Sequence, residues 1–120
     1  MRKKVMAAVL TAAMVASVSA MPQMVAAADD EFKIGLITDV GGVNDGSFNQ
    51  SAWEGLEKAG EELGVEVNYL ESATDADYQP NMETFVDEDY DLIISVGYML
   101  ADATREAAEA TPDTKFAIID

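Results

Sequence analysis

An α/β fold with a doubly wound parallel sheet is predicted by three features of the 120-residue chain. Short apolar runs of β type alternate with stretches of helical period, glycine and proline punctuate the joins, and the run opening the pattern ends in a glycine-rich turn that leads into a helix. Strands separated by helices in this way imply parallel pairing with right-handed crossovers.

The elements follow in order. A strand is expected near residues 33–38 and a helix near 48–63, where Phe48, Ala52, Leu56, Ala59 and Leu63 recur at intervals of four and three and mark a stripe facing the core. Ser47 and Gln50 have capping-box spacing, S-x-x-Q, at its start, and Gly64 is placed as its C-terminal stop. Trp53 lies off that stripe and reads as a core or outer-face residue. A strand near 65–71 leads to a helix near 78–88, with Asp75, Asp77 and Tyr78 read as turn and N-cap residues. A strand near 91–97 precedes an alanine-rich helix near 99–110 that Pro112 ends, and a last strand falls near 115–119. The acidic group Asp87, Glu88, Asp89 and Asp91 lacks the spacing and central glycine of a calcium loop and reads as a solvated helix end. No internal repeat or low-complexity linker interrupts the series.

Residues 1–28 read as an export leader. Arg2, Lys3 and Lys4 precede an uncharged run rich in Ala, Val and Met, and the stretch closes on Ala26, Ala27 and Ala28, with the cut expected after Ala28 and Ala20 as the second choice. Beyond it, four Lys+Arg stand against 23 Asp+Glu, a net charge of −19 over residues 29–120. Such acidity disfavours nucleic acid and anionic lipid as partners. The chain has no Cys and no His. Disulfides, thiolate metal sites and the commonest general base are thereby excluded, and neither a cofactor nor a metal is expected.

The most informative segment is residues 39–50, D-V-G-G-V-N-D-G-S-F-N-Q, where the first strand gives way to the first helix. In open α/β sheets ligands bind at the carboxyl ends of strands, at a switch in strand order. Gly41, Gly42 and Gly46 admit backbone conformations closed to other residues, and Ser47, Phe48 and Asn49 sit at the helix start. An aromatic face beside a carboxamide, with Asp39 and Asp45 nearby, suits a flat polar ligand with hydroxyls. A plainer alternative is a βα turn whose Phe48 enters the core and whose Asp45 merely caps. With a sheet order of 2-1-3-4, Asp39, Tyr98 and Asp120 come together on one rim, and Gly97 lets the chain pass close to a ligand there, with Tyr98 and Met99 at the pocket floor. Gly41 to Gly46 has the glycine spacing of a phosphate loop, but Ser47 replaces the lysine, and Asp39 and Asp45 would repel a pyrophosphate. A nucleotide-binding Rossmann-like enzyme is therefore the weaker alternative. A phosphoacceptor domain is another, opposed by the export leader.

The whole string, with D-A-D-Y at residues 75–78, D-L-I-I-S-V-G-Y-M-L-A-D-A at 91–103 and K-F-A-I-I-D at 115–120, closely resembles the basic membrane protein family. These are substrate-binding subunits of ABC transporters that include the bacterial purine nucleoside receptors. The resemblance implies the N-terminal lobe of a type I periplasmic-binding-protein fold, truncated here, with residues 29–120 as the first part of that lobe and the second lobe absent. It further implies no enzymatic activity, a nucleoside ligand, an ABC permease as partner, and a monomeric full-length protein at the outer face of the cell membrane. By the same resemblance Phe48 would stack on the base, Asn49 bond its edge and Asp120 hold the sugar, with Asp39 on the base or organising the glycine loop. Many relatives are tethered through a cysteine after the leader, which this chain lacks, so lipid anchoring is not expected. A ligand-sensing lobe of a signalling receptor shares fold and pocket and stands as the alternative function.

Overall fold

Four five-residue strands, β1 (Lys33–Ile37), β2 (Glu66–Leu70), β3 (Leu92–Val96) and β4 (Lys115–Ile119), make one sheet in the computed structural model, which describes Glu31–Asp120. The order is β2-β1-β3-β4 and every pairing is parallel, as the alternation of strand and helix predicts. Register sets Ile37 opposite Leu70 on one side and Ser95 on the other, and Val96 opposite Ile119, so the carboxyl ends of β1, β3 and β4 finish along one rim. The expected leader and its cut after Ala28 lie outside the described residues. Among those described, no helix is long and apolar enough to cross a membrane.

The crossovers are helices α1 (Phe48–Leu63), α2 (Tyr78–Asp87) and α3 (Ala101–Ala110). Side chains alternate across a strand, so β1 feeds two cores. On one face Leu36, Val43, Leu56 and Val96 pack with Ile34, Ala52, Trp53 and Ile94, beneath α1. On the other, Ile37, Tyr78, Met82, Phe85, Tyr90, Ile93, Leu100 and Ala107 pack together beneath α2 and α3. Leu36, Ile37, Met82, Ile93, Val96 and Leu100 are fully buried, each worth about 1.5–3 kcal/mol relative to exposure. Gly35 belongs to the second face, where the Phe85 ring lies directly on its backbone.

Several local readings change. The inward stripe of α1 runs through Asn49, Ala52, Trp53, Leu56, Ala59 and Gly60, whereas Phe48 and Leu63 are 62% and 74% exposed. Intervals of four and three fit either of two neighbouring stripes, and packing of Trp53 edge-on to Tyr69, ring centroids 4.8 Å apart, selects this one. Tyr78 is a core residue, not a turn residue. Asp75 and Asp77 do lie in a turn before α2, a 3-10 turn, Asp75–Asp77, capped by Thr74, which accepts from the Ala76 N–H, and by Asp77, which accepts from the Thr74 N–H. α3 begins two residues later than the alanine pattern suggests, because Tyr98–Leu100 forms a 3-10 turn ahead of it. At the end of α2, Asp87, Glu88 and Asp89 are solvated as expected, but Asp91 turns inward and accepts from the Lys33 N–H at 2.8 Å, pinning the start of β1. Gly64 ends α1 at φ 75° with its N–H on the Gly60 carbonyl, as its placement implies.

Candidate functional site

The rim of strand ends is organised around Asp39. Thr38, fully buried, follows β1 with its N–H on the Leu70 carbonyl, and the chain then leaves the sheet. Asp39 Oδ1 accepts from the Gly41 N–H at 2.8 Å and from Asn49 Nδ2 at 2.7 Å, tying the loop and the first turn of α1 to the end of β1. A Cβ on Gly41 would lie 3.1 Å from Oδ1 and 3.2 Å from Asn49 Nδ2, so the absence of a side chain is what lets these three meet. The second oxygen, Oδ2, faces β3: a Cβ on Gly97 would stand 3.1 Å from it, and Gly97 has φ +109°, a conformation L side chains rarely adopt. Gly97 also donates to the Ile119 carbonyl at 2.8 Å. Asp39, Gly97 and the end of β4 are thus neighbours, as the strand order requires.

The start of α1 is held by Asp45, not by the Ser47–Gln50 capping box. Ser47 makes no side-chain cap bond. Asp45 Oδ1 accepts from the N–H groups of Ser47 at 2.8 Å and Gln50 at 3.0 Å, and Oδ2 from that of Asn49 at 3.2 Å. Gln50 reaches back to the Gly46 N–H at 3.0 Å. One carboxylate therefore satisfies donors that the helix leaves open, and the plainer reading of Asp45 as a cap is correct. Desolvation, the largest influence on Asp45, raises its pKa, but the N–H groups of Gln50, Ser47 and Asn49 and the Asn49 side chain together bring it below the ordinary aspartate value. A depressed folded-state value means that this stabilisation is complete above the unfolded value, about 3.9, and is lost as pH falls through the folded value. Carbon-detected NMR titration should therefore place the Asp45 midpoint below that of the unfolded chain. A midpoint at or above it would contradict the cap.

With Asp45 holding the turn, Phe48 projects outward. It borders an open depression of about 540 Å³ together with Ser47, Ser51, Ala52 and Ile119. The alternative in which Phe48 enters the core is excluded. Asn49 takes the inward direction, 1% exposed, with Nδ2 engaged by Asp39 and Oδ1 lacking a partner among the described residues. Tyr98 and Met99 stand on the rim, 70% and 47% exposed. Asp120, directly after β4, is exposed at the same edge.

Three residues here escaped sequence reasoning. Ser51 is one turn beyond Ser47 on the depression's wall, and helical periodicity alone could have flagged it. Glu71, just past β2, accepts from the Val43 N–H at 2.8 Å. Tyr78 lies close enough to the rim that its phenol pKa is raised by burial first and then by the carboxylates of Asp39 and Asp75. The four cations of the described residues lie elsewhere: Lys33 and Lys115 begin strands at the opposite edge, and Lys58 and Arg105 sit within helices. A rim with Asp39, Glu71 and Asp120 and, among the described residues, no cation suits an uncharged polar ligand and opposes a phosphate.

The sequence model described as ABC transporter substrate-binding protein PnrA-like matches residues 32–120. The chain is 50% identical over 95 residues to the CD4+ T-cell-stimulating antigen of Listeria monocytogenes, covering 75% of this chain and 27% of that protein. It is 40% identical over 94 residues to the ABC transporter nucleoside-binding protein BmpA of Lactococcus lactis, again 75% of this chain and 27% of the relative. The chain therefore spans about a quarter of the length of these curated relatives. Among solved structures, an ABC transporter solute-binding protein of Aeropyrum pernix K1 superposes with a TM-score of 0.68 at 33% identity, covering 74% of this chain and 24% of that one.

Proposed function

The chain belongs to the basic membrane protein family, the PnrA-like substrate-binding proteins of ABC transporters, and on that premise we propose that it forms one wall of an extracytoplasmic receptor for purine nucleosides that delivers them to an ABC permease. The observation that carries the ligand class is the exposed Phe48 ring beside a carboxylate rim with no cation among the described residues. A ring offers a stacking face to a base of any identity, and carboxylates accept from ribose hydroxyls and base N–H groups. The name of the Lactococcus relative supports the same class.

In this reading Phe48 stacks on the base, Asp120 accepts from the sugar, and Asp39 presents Oδ2 while Oδ1 organises the loop. Asn49 works chiefly through Asp39. A direct base-edge contact, expected from the resemblance, would use its buried Oδ1, the acceptor without a partner among the described residues. Gly41, Gly42, Gly46, Ser47 and Gly97 shape the main chain around the ligand, and Tyr98 lies on its flank. No bond is made or broken: the work is selection and release, with two lobes closing on the ligand and the closed form recognised by the permease.

Calorimetric titration with inosine, guanosine and adenosine, and with the matching 5′-monophosphates, tests the proposal. Nucleosides are expected to bind and their monophosphates to bind markedly less, because added phosphate meets carboxylates and, among the described residues, no cation. Monophosphates binding as tightly as nucleosides would defeat it. Residues 29–120 by themselves supply one wall, whereas ligand sites bury about 70–90% of a small molecule. Their affinity is expected to be about millimolar or weaker, since one wall does not offset the entropy lost on association.

A further inference from the structure

We propose that Glu71 is a positioning residue for the ligand loop, a role that rests on the reading of residues 39–48 as a ligand wall. Glu71 is distant in sequence from the loop it holds. Its Oε2 accepts from the Val43 N–H at 2.8 Å, across a separation of 28 residues. Val43 is 5% exposed and packs with Leu36, Leu56 and Val96. The bond therefore fixes the main chain at the point where the loop dips into the core before rising to Asp45 and Phe48.

Two further observations make the contact specific. Gly42 has φ +72°, and a Cβ on it would sit 2.5 Å from Glu71 Oε2, so a side chain there would displace the carboxylate from its place over the loop. The main chain of Glu71 is itself held by α2: Asn81 Nδ2 donates to the Glu71 carbonyl and to Ser72 Oγ, both at 3.2 Å, and Ser72 is 3% exposed. A path of hydrogen bonds thus runs from α2 through Glu71 to Val43. The same segment continues through the Asp45 cap to Phe48. Glu71 has no other hydrogen-bond partner for its carboxylate among the described residues. Its removal frees the loop from β2 while leaving both cores intact.

The test pairs a ligand-free readout with a ligand-dependent one, using Glu71→Ala, Glu71→Gln and Gly42→Ala. Amide hydrogen exchange at Val43 should quicken roughly two- to tenfold in Glu71→Ala, the size expected for one hydrogen bond. Glu71→Gln, which keeps an oxygen acceptor, should return exchange close to the parent rate. Gly42→Ala, which drives the carboxylate off the Val43 N–H, should match or exceed Glu71→Ala. Inosine affinity of the two-lobed protein should fall by a similar roughly two- to tenfold in Glu71→Ala and recover in Glu71→Gln, with the melting temperature lowered by several degrees at most in the first and near that of the parent in the second. Unchanged Val43 exchange in Glu71→Ala overturns the proposal, as does faster exchange with undiminished affinity. Equal loss in Glu71→Gln also overturns it, because the charge and not the brace would then matter. A two-lobed parent protein that takes no nucleoside refutes the functional reading, and exchange at Val43 still decides whether Glu71 holds the loop.

Discussion

Replacing Phe48 with alanine is expected to weaken purine nucleoside binding to the two-lobed protein by about 1–3 kcal/mol, the value of one aromatic stacking face, or roughly 5- to 150-fold. The fold should be nearly untouched. Phe48 is 62% exposed and lies outside both hydrophobic clusters, so its truncation opens no cavity. Substitutions at such positions shift stability by about 0.5 kcal/mol or less. The start of α1 is secured by Asp45 acting on backbone N–H groups, which the substitution leaves in place. Calorimetry with inosine and a thermal melt on the same sample decide the matter. Retained affinity with a lowered melting temperature would mean that the ring supports the fold and not the ligand.

Gly35→Val is the complementary case, with a large loss of stability expected and no ligand needed to see it. A Cβ at Gly35 would stand 2.6–2.8 Å from three atoms of the Phe85 ring, well inside contact distance. The ring cannot step aside cheaply: Phe85 is 2% exposed and leans on Tyr90, ring centroids 4.5 Å apart. β1 cannot recede either, since it is paired on both edges by β2 and β3. Overpacking of this kind costs about 1–3 kcal/mol or more. For a domain of 60–100 residues each kcal/mol lowers the melting temperature by about 4–8 °C. Phe85→Leu on its own should destabilise, yet combined with Gly35→Val it should recover part of the loss, a coupling that separates steric conflict from a simple loss of strand propensity. A melting temperature within a degree or two of the parent in Gly35→Val would refute the close packing.

The site was legible in sequence to different depths. Asp39, Phe48, Gly97, Tyr98 and Asp120 do share one rim, because their placement follows from strand ends and strand order. Asn49 and Ser47 were read from spacing at the helix start, and there the structure departs: Ser47 makes no cap bond and Asn49 turns inward to hold Asp39. Spacing shows which residues fall in a first turn. It does not show the path of the preceding loop, which decides whether Ser47 or Asp45 reaches the open N–H groups. Glu71 carried no signal at all, since a glutamate after a strand is ordinary until the loop that it touches is in place.

What the sequence by itself determined is the class of fold, the succession of elements to within a residue or two, the parallel pairing of the strands, and the motif that marks the family. These rest on hydrophobic period, glycine and proline punctuation, and the crossover rule, all of which act over short stretches of chain. Only the tertiary structure decided which side of α1 faces the sheet, and with it that Phe48 stands free while Asn49 and Trp53 turn inward. Successive residues on a helix differ by about 100° in direction, so a small rotation about the axis exchanges an inward side chain for an outward one, and that rotation is set by contacts such as Trp53 on Tyr69. The same holds for the Gly35–Phe85 stack and the Glu71–Val43 brace. Each joins residues far apart in the chain, and packing alone brings them within reach.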